Sequence, residues 1–458
     1  MFLFKSYLYL GMIGGLLLAI PILIQPRWGF YLTVAAIPLD DVGKLGNILP
    51  FVDITIAKIL ALLTIASWIL HLAMRKVRFI WSYEIGIFLF YFLIAVLSLA
   101  DALELKRGLQ ELIILGTTIV FFTMVFNLLT QQKHIMIALT LFTIVSVGTF
   151  GYAVVQRFLP GTQIAERIGW LEEGEATHGV EISNIESQSL GGTVMRSTGT
   201  TAHSNVLAAN TAFLVPILFA FLRFSHSRWL RLSILASFGI CISAAVVSLS
   251  RTGILAFAII LPQLIYFRLI KVTSPRIAVV LIAAIISIPF LPEGVSRIFN
   301  PTNYFSSQSV SVSERYKLWD AATKAFFDNP LSGFGVGNNR GILEYYLDAP
   351  WNPGLLTVHN SYLQIAIETG IFGLLCMLYF LIRIFRKLSH ARRIFIQYND
   401  DWGAAFATSL RISFISFLII GALAFDFMRI GFKNMWFFIG CSIALYRIAL
   451  LQLPGRTT

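Results

Sequence analysis

Charge and cysteine are the scarce materials of this chain. Only 13% of its 458 residues are charged and only 3 are cysteine, whereas 57% are hydrophobic. Soluble domains run about 25% charged and about 45–50% apolar, which excludes a globular secreted domain, a disordered chain and a peripheral membrane protein. Cys241, Cys376 and Cys441 each sit in an apolar run, so neither a disulfide framework nor a cysteine metal site is expected. Several catalytic signatures are missing too. The chain has no Asp-x-Asp pair for a metal–nucleotide-sugar site, no His-Glu-x-x-His zinc helix and no Gly-x-Ser-x-Gly elbow. Acidic residues are the minority charge, 23 against 35 Lys and Arg. In so apolar a chain that excess belongs to membrane sidedness, and no nucleic-acid partner is expected.

What is present is long apolar runs. A membrane-crossing helix needs about 20 mostly apolar residues. Such runs occupy 7–24, 53–73, 84–100, 109–129, 135–158, 205–222, 232–249, 252–270, 277–292, 361–382, 405–425 and 434–451. A shorter run, 28–39, ends at Pro38 and reads as a half-span or a short tilted helix. The fold class is therefore all-α: a polytopic transmembrane helical bundle of about twelve or thirteen spans. No internal repeat is visible, so 1–458 forms one membrane domain. No small-residue cleavage site follows the first run, and Pro21 and Pro26 interrupt it, so a cleaved signal peptide is not expected.

Short loops set the orientation. Arg75, Lys76 and Arg78 form one basic group, Arg223, Arg228 and Arg231 a second, and Arg268, Lys271 and Arg276 a third. Arg383, Arg386, Lys387, Arg392 and Arg393 form a fourth. Assigning all four to the cytoplasm agrees with the number of spans between them. Two long polar segments, 160–204 and 293–358, then lie outside as external inserts. The first carries Arg167 and Arg196 against six glutamates, and the second has five basic and six acidic residues. The amino terminus is outside if 7–24 and 28–39 both cross, and inside if one does.

Four polar stretches fall on the external side. Arg196-Ser197-Thr198-Gly199-Thr200-Thr201-Ala202-His203-Ser204-Asn205 precedes a span that Ser204 or Asn205 can cap, which leaves Arg196 and His203 unexplained. Ser248-Leu249-Ser250-Arg251-Thr252-Gly253 joins two spans with almost no loop. Arg251 either snorkels to the headgroups or turns into a polar cavity. At membrane depth an arginine costs roughly 2.5–3.5 kcal/mol, which favours a partner. In the third stretch Arg315 opens an amphipathic helix near 313–327, capped by Ser311 or Ser313 and lying at the outer interface with Trp319 at headgroup level.

The fourth stretch pairs a glycine-rich turn, Gly333-Phe334-Gly335-Val336-Gly337-Asn338-Asn339, with His359-Asn360-Ser361-Tyr362-Leu363 and Glu368-Thr369-Gly370. The glycines lack the Gly-Lys-Ser/Thr of a P-loop, and allow close approach to a ligand or to a neighbouring helix. Two readings stand for His359, packed residue or catalyst, and two for Glu368, functional carboxylate or structural acceptor. Asn360 or Ser361 caps the span that follows. Arginine forks suit diphosphate oxygens, and a histidine suits taking a proton from a hydroxyl near neutral pH. Together they suit a metal-independent group transfer from a diphosphate donor.

Taken in order, Arg-x-x-Gly…Asn, Ser-Arg-x-Gly at a helix mouth, Ser-x-Arg…Trp, and Gly-x-Gly before His-Asn-x-Tyr-Leu…Glu-x-Gly resemble the O-antigen ligase and O-antigen polymerase superfamily over about residues 190–375. The resemblance implies a bacterial cytoplasmic-membrane glycosyltransferase of the membrane C-type fold with its site on the periplasmic face. Its donor would be an undecaprenyl-diphosphate-linked glycan, and its acceptor lipid A-core, a growing glycan or a protein, among membrane lipids and without a cofactor or metal. Carried over, Arg251 and Arg315 hold the diphosphate, with Arg196 beside them, and His359 activates the acceptor hydroxyl for inverting attack. Ser250, Gly335, Gly337, Asn360 and Glu368 support them. His203 sits where other members often carry a different residue and is assigned no chemistry. Ligase and polymerase differ only in acceptor. A transporter or flippase of lipid-linked glycans is the alternative. It predicts inverted repeats and mid-depth charges that the sequence lacks. A structural partner in an envelope complex needs no site at all.

Overall fold

The computed structural model describes residues 19–39, 55–158, 180–183, 194–197, 199–201, 204–248, 250–269, 310–347, 357–423 and 433–454. In chain order the helices are α1 (Pro26–Ala36), α2 (Ile56–Ala73), α3 (Tyr83–Ser98), α4 (Leu105–Leu128) and α5 (Gln132–Phe158). A two-stranded antiparallel ribbon follows, β1 (Val180–Ser183) against β2 (Val194–Ser197). Then come α6 (Ser204–Phe224), α7 (Arg228–Val247), α8 (Arg251–Tyr266), α9 (Val310–Asp328) and α10 (Asn339–Tyr346). The chain closes with α11 (Ser361–Gln397), α12 (Asp401–Leu423) and α13 (Lys433–Leu450).

The architecture is an all-α polytopic bundle. Among the described residues, eight helices are long and apolar enough to cross a membrane: α2 to α7, α11 and α12. The span expected at 277–292 and most of the one at 7–24 lie outside the described residues. The other expected spans have their helices, shifted at the ends. The largest shift is in α11, which continues past residue 382 to Gln397 because Leu388, Ala391, Ile394 and Phe395 prolong its buried face. The short run at 28–39 becomes α1 plus a 3-10 turn, Ile37–Leu39. It joins the two ends of the bundle: Arg27 reaches Thr130 after α4, while Thr200 donates to the Pro38 carbonyl beside β2.

Aromatic packing fills the middle. The Phe88 ring lies 5.5 Å from Phe122, 5.2 Å from Phe380 and 4.8 Å from Trp436, so α3, α4, α11 and α13 meet at one point. Offset and edge-on aromatic pairs add about 0.5–1.5 kcal/mol each beyond buried area.

Antiparallel tracing gathers the basic turns at one end. There Asp400 accepts from Gln132 (2.5 Å) and Gln452 (2.7 Å), and Arg447 donates to the Leu129 carbonyl (2.8 Å). Glu84 is fully buried and ties α3 to α11 through Arg383 (3.2 Å), Lys387 and the Ser82 hydroxyl. Removing one member of a buried ion cluster strands the others without a counter-charge, which typically costs about 3–5 kcal/mol. Glu84→Ala is accordingly expected to lower the thermal midpoint of the detergent-purified protein by several degrees. An unchanged melting curve would show that the cluster does not hold these helices together.

Candidate functional site

Helix α11 is broken at one residue. Gly370 has φ 65° and ψ −170°, non-helical values inside an otherwise continuous helix. A break at this point frees the Ile367 carbonyl and the Ile371 amide, which would otherwise bond to each other. Both are taken up by the glycine turn. Phe334 N–H donates to Ile367 O (2.8 Å), and Ile371 N–H donates to Pro330 O (2.8 Å). An unpaired backbone group in an apolar setting costs several kcal/mol, so a broken helix needs such partners. The turn fits because Gly333, Gly335 and Gly337 all have positive φ. A Cβ on Gly335 would lie 2.7 Å from Ala102 Cβ, and one on Gly337 would lie 2.5 Å from Glu111 Cγ. Of the two readings for Gly335 and Gly337, close approach to neighbouring helices is the one built here.

Glu368 sits under this turn and is buried. Its Oε1 accepts from Asn339 Nδ2 (2.7 Å) and Gln364 Nε2 (3.1 Å), and the Gly337 amide also bonds to it. That is the structural-acceptor arrangement: a carboxyl group joining α10, the turn and the first part of α11. Asn338 works on the other side, accepting from the Glu104 amide (2.7 Å).

The segment leading into α11 carries His359. Its φ of 51° puts a non-glycine residue in the left-handed region, at about 1–3 kcal/mol. Neighbouring contacts hold it there. The Asn360 side chain caps α11, accepting from the amides of Tyr362 (3.0 Å) and Leu363 (3.1 Å). Tyr362 Oη donates to the Leu418 carbonyl of α12 (3.0 Å). On the remaining side, Trp319 Nε1 of α9 donates to the carbonyl of fully buried Val358 (2.9 Å).

Helix α9 therefore packs on protein. Leu318, Ala321, Ala322 and Ala325 form a small second core with Ile342, Leu343, Val358 and Ile367. Trp319 is half-buried, with its indole N–H bonded to a backbone carbonyl. The helix begins at Val310, so Ser311 and Ser313 lie within it. At its far end Asp328 accepts from Tyr346 Oη (2.5 Å). Burial, with Asp328 beside it, pushes that phenol up to about 12, so it remains a donor across the physiological range. Half-buried Arg315 lies one turn before Trp319, on the same side of α9. The helix that carries Arg315 is thus fixed to the backbone next to His359.

A second polar group occupies the same end of the bundle. Ser250 is buried and donates to Asn205 Oδ1 (2.5 Å), which joins the first turns of α6 and α8. Asn205 thus spends its oxygen on Ser250. Arg251 is the first residue of α8, one position beyond this bond. The ribbon register sets Arg196 opposite Glu181. The side chains of Arg196 and Arg251, and the whole of His203, lie outside the described residues, as does most of the insert 160–204. Beside the ribbon, Gln156 Oε1 accepts from the Gly199 amide (3.1 Å). Among the described residues, no three of His, Cys, Asp and Glu cluster as metal ligands.

The matching family is described as O-antigen ligase, and its model covers residues 236–378. Residues 236–378 are similar to the O-antigen ligase family. That region runs from the middle of α7 into α11 and contains Ser250, Arg251, Arg315, the glycine turn, His359, Asn360 and Glu368, while Arg196 precedes it. Two relatives agree. A candidate polysaccharide ligase of Rickettsia felis is 25% identical over 214 residues, 45% of this chain and 48% of its own. Another, from Rickettsia conorii, is 25% identical over 233 residues, 49% of this chain and 50% of its own. The chain spans about half the length of the curated relatives it matches.

Sequence reading missed Trp319, Tyr362 and Asn339 as the residues that position this end of the matched region. Trp319→Phe removes one N–H while keeping an aromatic ring, and leaves the Val358 carbonyl without its donor. A local loss of about 1–2 kcal/mol is expected. It should be read as roughly ten-fold faster amide hydrogen exchange over residues 358–363. Unchanged protection there would mean that the indole bond does not hold the segment.

Proposed function

We propose that the protein transfers or polymerises a glycan from an undecaprenyl-diphosphate donor onto an acceptor hydroxyl, at the outer face of the bacterial cytoplasmic membrane. The observation that carries this reading is the bond from Trp319 to the Val358 carbonyl, which keeps the Arg315 helix against the His359 segment. The Ser250–Asn205 bond at the mouth of α8, beside Arg251, supports a second cationic wall at the same end.

In this reading, the acceptor hydroxyl oxygen attacks the anomeric carbon opposite the diphosphate. The new glycosidic C–O bond forms as the bond to the phosphate oxygen breaks, so the configuration inverts. Undecaprenyl diphosphate leaves with the bonding electron pair, and the hydroxyl proton passes to the His359 imidazole. Negative charge grows on the leaving diphosphate, where Arg251 and Arg315, with Arg196 near them, stabilise it. Preorganised cations aimed at developing charge are worth about 3–4 kcal/mol each in a water-poor site. Fixed guanidinium forks can therefore supply what a divalent ion supplies elsewhere. The four basic turns at the opposite end of the bundle support the periplasmic assignment of this one. The polyprenyl chain is received among the apolar helices, and lipid A-core or a growing glycan supplies the hydroxyl.

The test is in-vitro transfer by the purified protein, using a defined undecaprenyl-diphosphate glycan and candidate acceptors in EDTA. Arg251→Ala, Arg315→Ala and His359→Ala are each expected to lower transfer by about 100-fold or more while the protein still accumulates in membranes. A strict divalent-metal requirement would refute the role given to the arginines. Full transfer by His359→Ala would favour a scaffold. Movement of the lipid-linked glycan without a new glycosidic bond would favour a flippase.

A further inference from the structure

The basic end of the bundle keeps its carboxylates occupied. Among the described residues there, Glu84 is taken by Arg383 and Lys387, Asp401 by Arg223 (3.6 Å), and Asp400 by two glutamine amides and the Gly403 amide (2.8 Å). No ion pair between described residues involves Arg386 or Arg393. Both are exposed, as is His390 between them. The spacing of 386, 390 and 393 puts the three on one face of α11.

This basic face continues a lipid-facing one. On the same stripe, toward the membrane, come Phe372, Leu375, Tyr379 and Ile382, exposed by 58%, 55%, 46% and 53%. The change from apolar to basic is abrupt, between Ile382 and Arg386. Arg386 follows Ile382, the last residue of the apolar stripe, by about one turn of the helix, roughly 6 Å. It therefore stands at headgroup level, with His390 and Arg393 on the next turns. Aromatic residues flank the strip. The Arg383 guanidinium lies over the Tyr83 ring (4.7 Å), and the His390 ring is 5.6 Å from that of Tyr446.

We propose that this face of α11 binds an anionic phospholipid headgroup from the leaflet at the basic end, with the acyl chains lying along Phe372 to Ile382. Charge complementarity and continuity with the lipid-facing stripe select that occupant. Two exposed guanidinium groups, with no carboxylate partner among the described residues, meet the phosphate, and the apolar stretch directly above them meets the tail. Basic pockets on helices at the cytoplasmic boundary take anionic headgroups in this way. The site is separate from the glycan-transfer reading, since it lies at the opposite end of the bundle.

The experiment compares retention of cardiolipin, phosphatidylglycerol and phosphatidylcholine by the purified full chain, using native mass spectrometry, with Arg386→Gln/Arg393→Gln as the variant. The parent should prefer the two anionic lipids, less so at high salt. The double variant should bind cardiolipin about ten- to thirty-fold more weakly. Arg386→Lys/Arg393→Lys should keep most of the binding, and Arg228→Gln, on α7, should be neutral. These side chains are exposed, and an unchanged thermal midpoint in phosphatidylcholine would confirm that the double variant folds. Equal cardiolipin affinity in the parent and the folded double variant would overturn the proposal. So would equal retention of phosphatidylcholine by the parent, or complete displacement of cardiolipin by inorganic phosphate, which would make the site one for a free anion.

Discussion

A single interrupted helix governs how the polar end of this protein is built. The break at Gly370 removes one rung of α11, and the turn from Pro330 to Gly337 restores both of its halves with its own backbone. The exchange works only if the turn comes within bonding distance of a helix axis, where side chains would block it. The glycine positions follow from that demand. A Cβ on Gly333 would lie 2.6 Å from the Glu368 and Thr369 backbone. One on Gly370 would fall on the Leu331 carbonyl. Helices α9 and α10 are joined to the bundle through this plug, which fixes where their residues stand relative to the first two turns of α11.

The rest of the site follows from the fixed direction of those turns. Once Ser361–Thr369 is set, the His359 segment is held at its mouth by three independent contacts: the Asn360 cap, the Trp319 indole and the Tyr362 hydroxyl. The last of these crosses to Leu418, and α12 continues to α6, where Ser413 donates to the Phe213 carbonyl (2.8 Å). A chain of hydrogen bonds thus runs from the imidazole-bearing segment through α12 to the helix that receives Ser250. The first turns of α8 and α9 share a frame even though about sixty residues of sequence separate them.

Much of this was legible in the sequence, and what was not has physical reasons. Span positions follow from apolar length, since the bilayer sets a fixed requirement. The Asn360 cap was legible because capping is a local pattern. The partner of the Trp319 indole was not legible, because a tryptophan in an amphipathic helix looks the same whether its N–H meets a headgroup or a buried carbonyl. The partnership of Glu368 with Asn339 has no local signature: the residues are 29 apart and meet only because the helix breaks. The break at Gly370 has no local signature either, because no short motif distinguishes a glycine that lets helices touch from one that interrupts a helix. The ribbon at 180–183 and 194–197 lay inside what reads as a polar insert, where a four-residue alternation is too short to detect.

The two ends of the bundle handle charge in opposite ways, and the difference bears on what each can bind. At the basic end the carboxylates are buried or bonded, so the outermost arginines are left to meet whatever anion the solvent or the leaflet supplies. At the polar end the buried contacts are mostly neutral. Ser250 meets Asn205, Asn434 meets Asn210 (3.1 Å), and Gln156 meets a backbone amide. Neutral pairs of this kind shape a cleft without supplying it with counter-charge. A carboxylate-rich lining would instead repel an anionic ligand and cost more to desolvate. The one buried carboxyl group described near His359, Glu368, faces the glycine turn and α10. It joins α10, the glycine turn and the start of α11 through neutral donors alone.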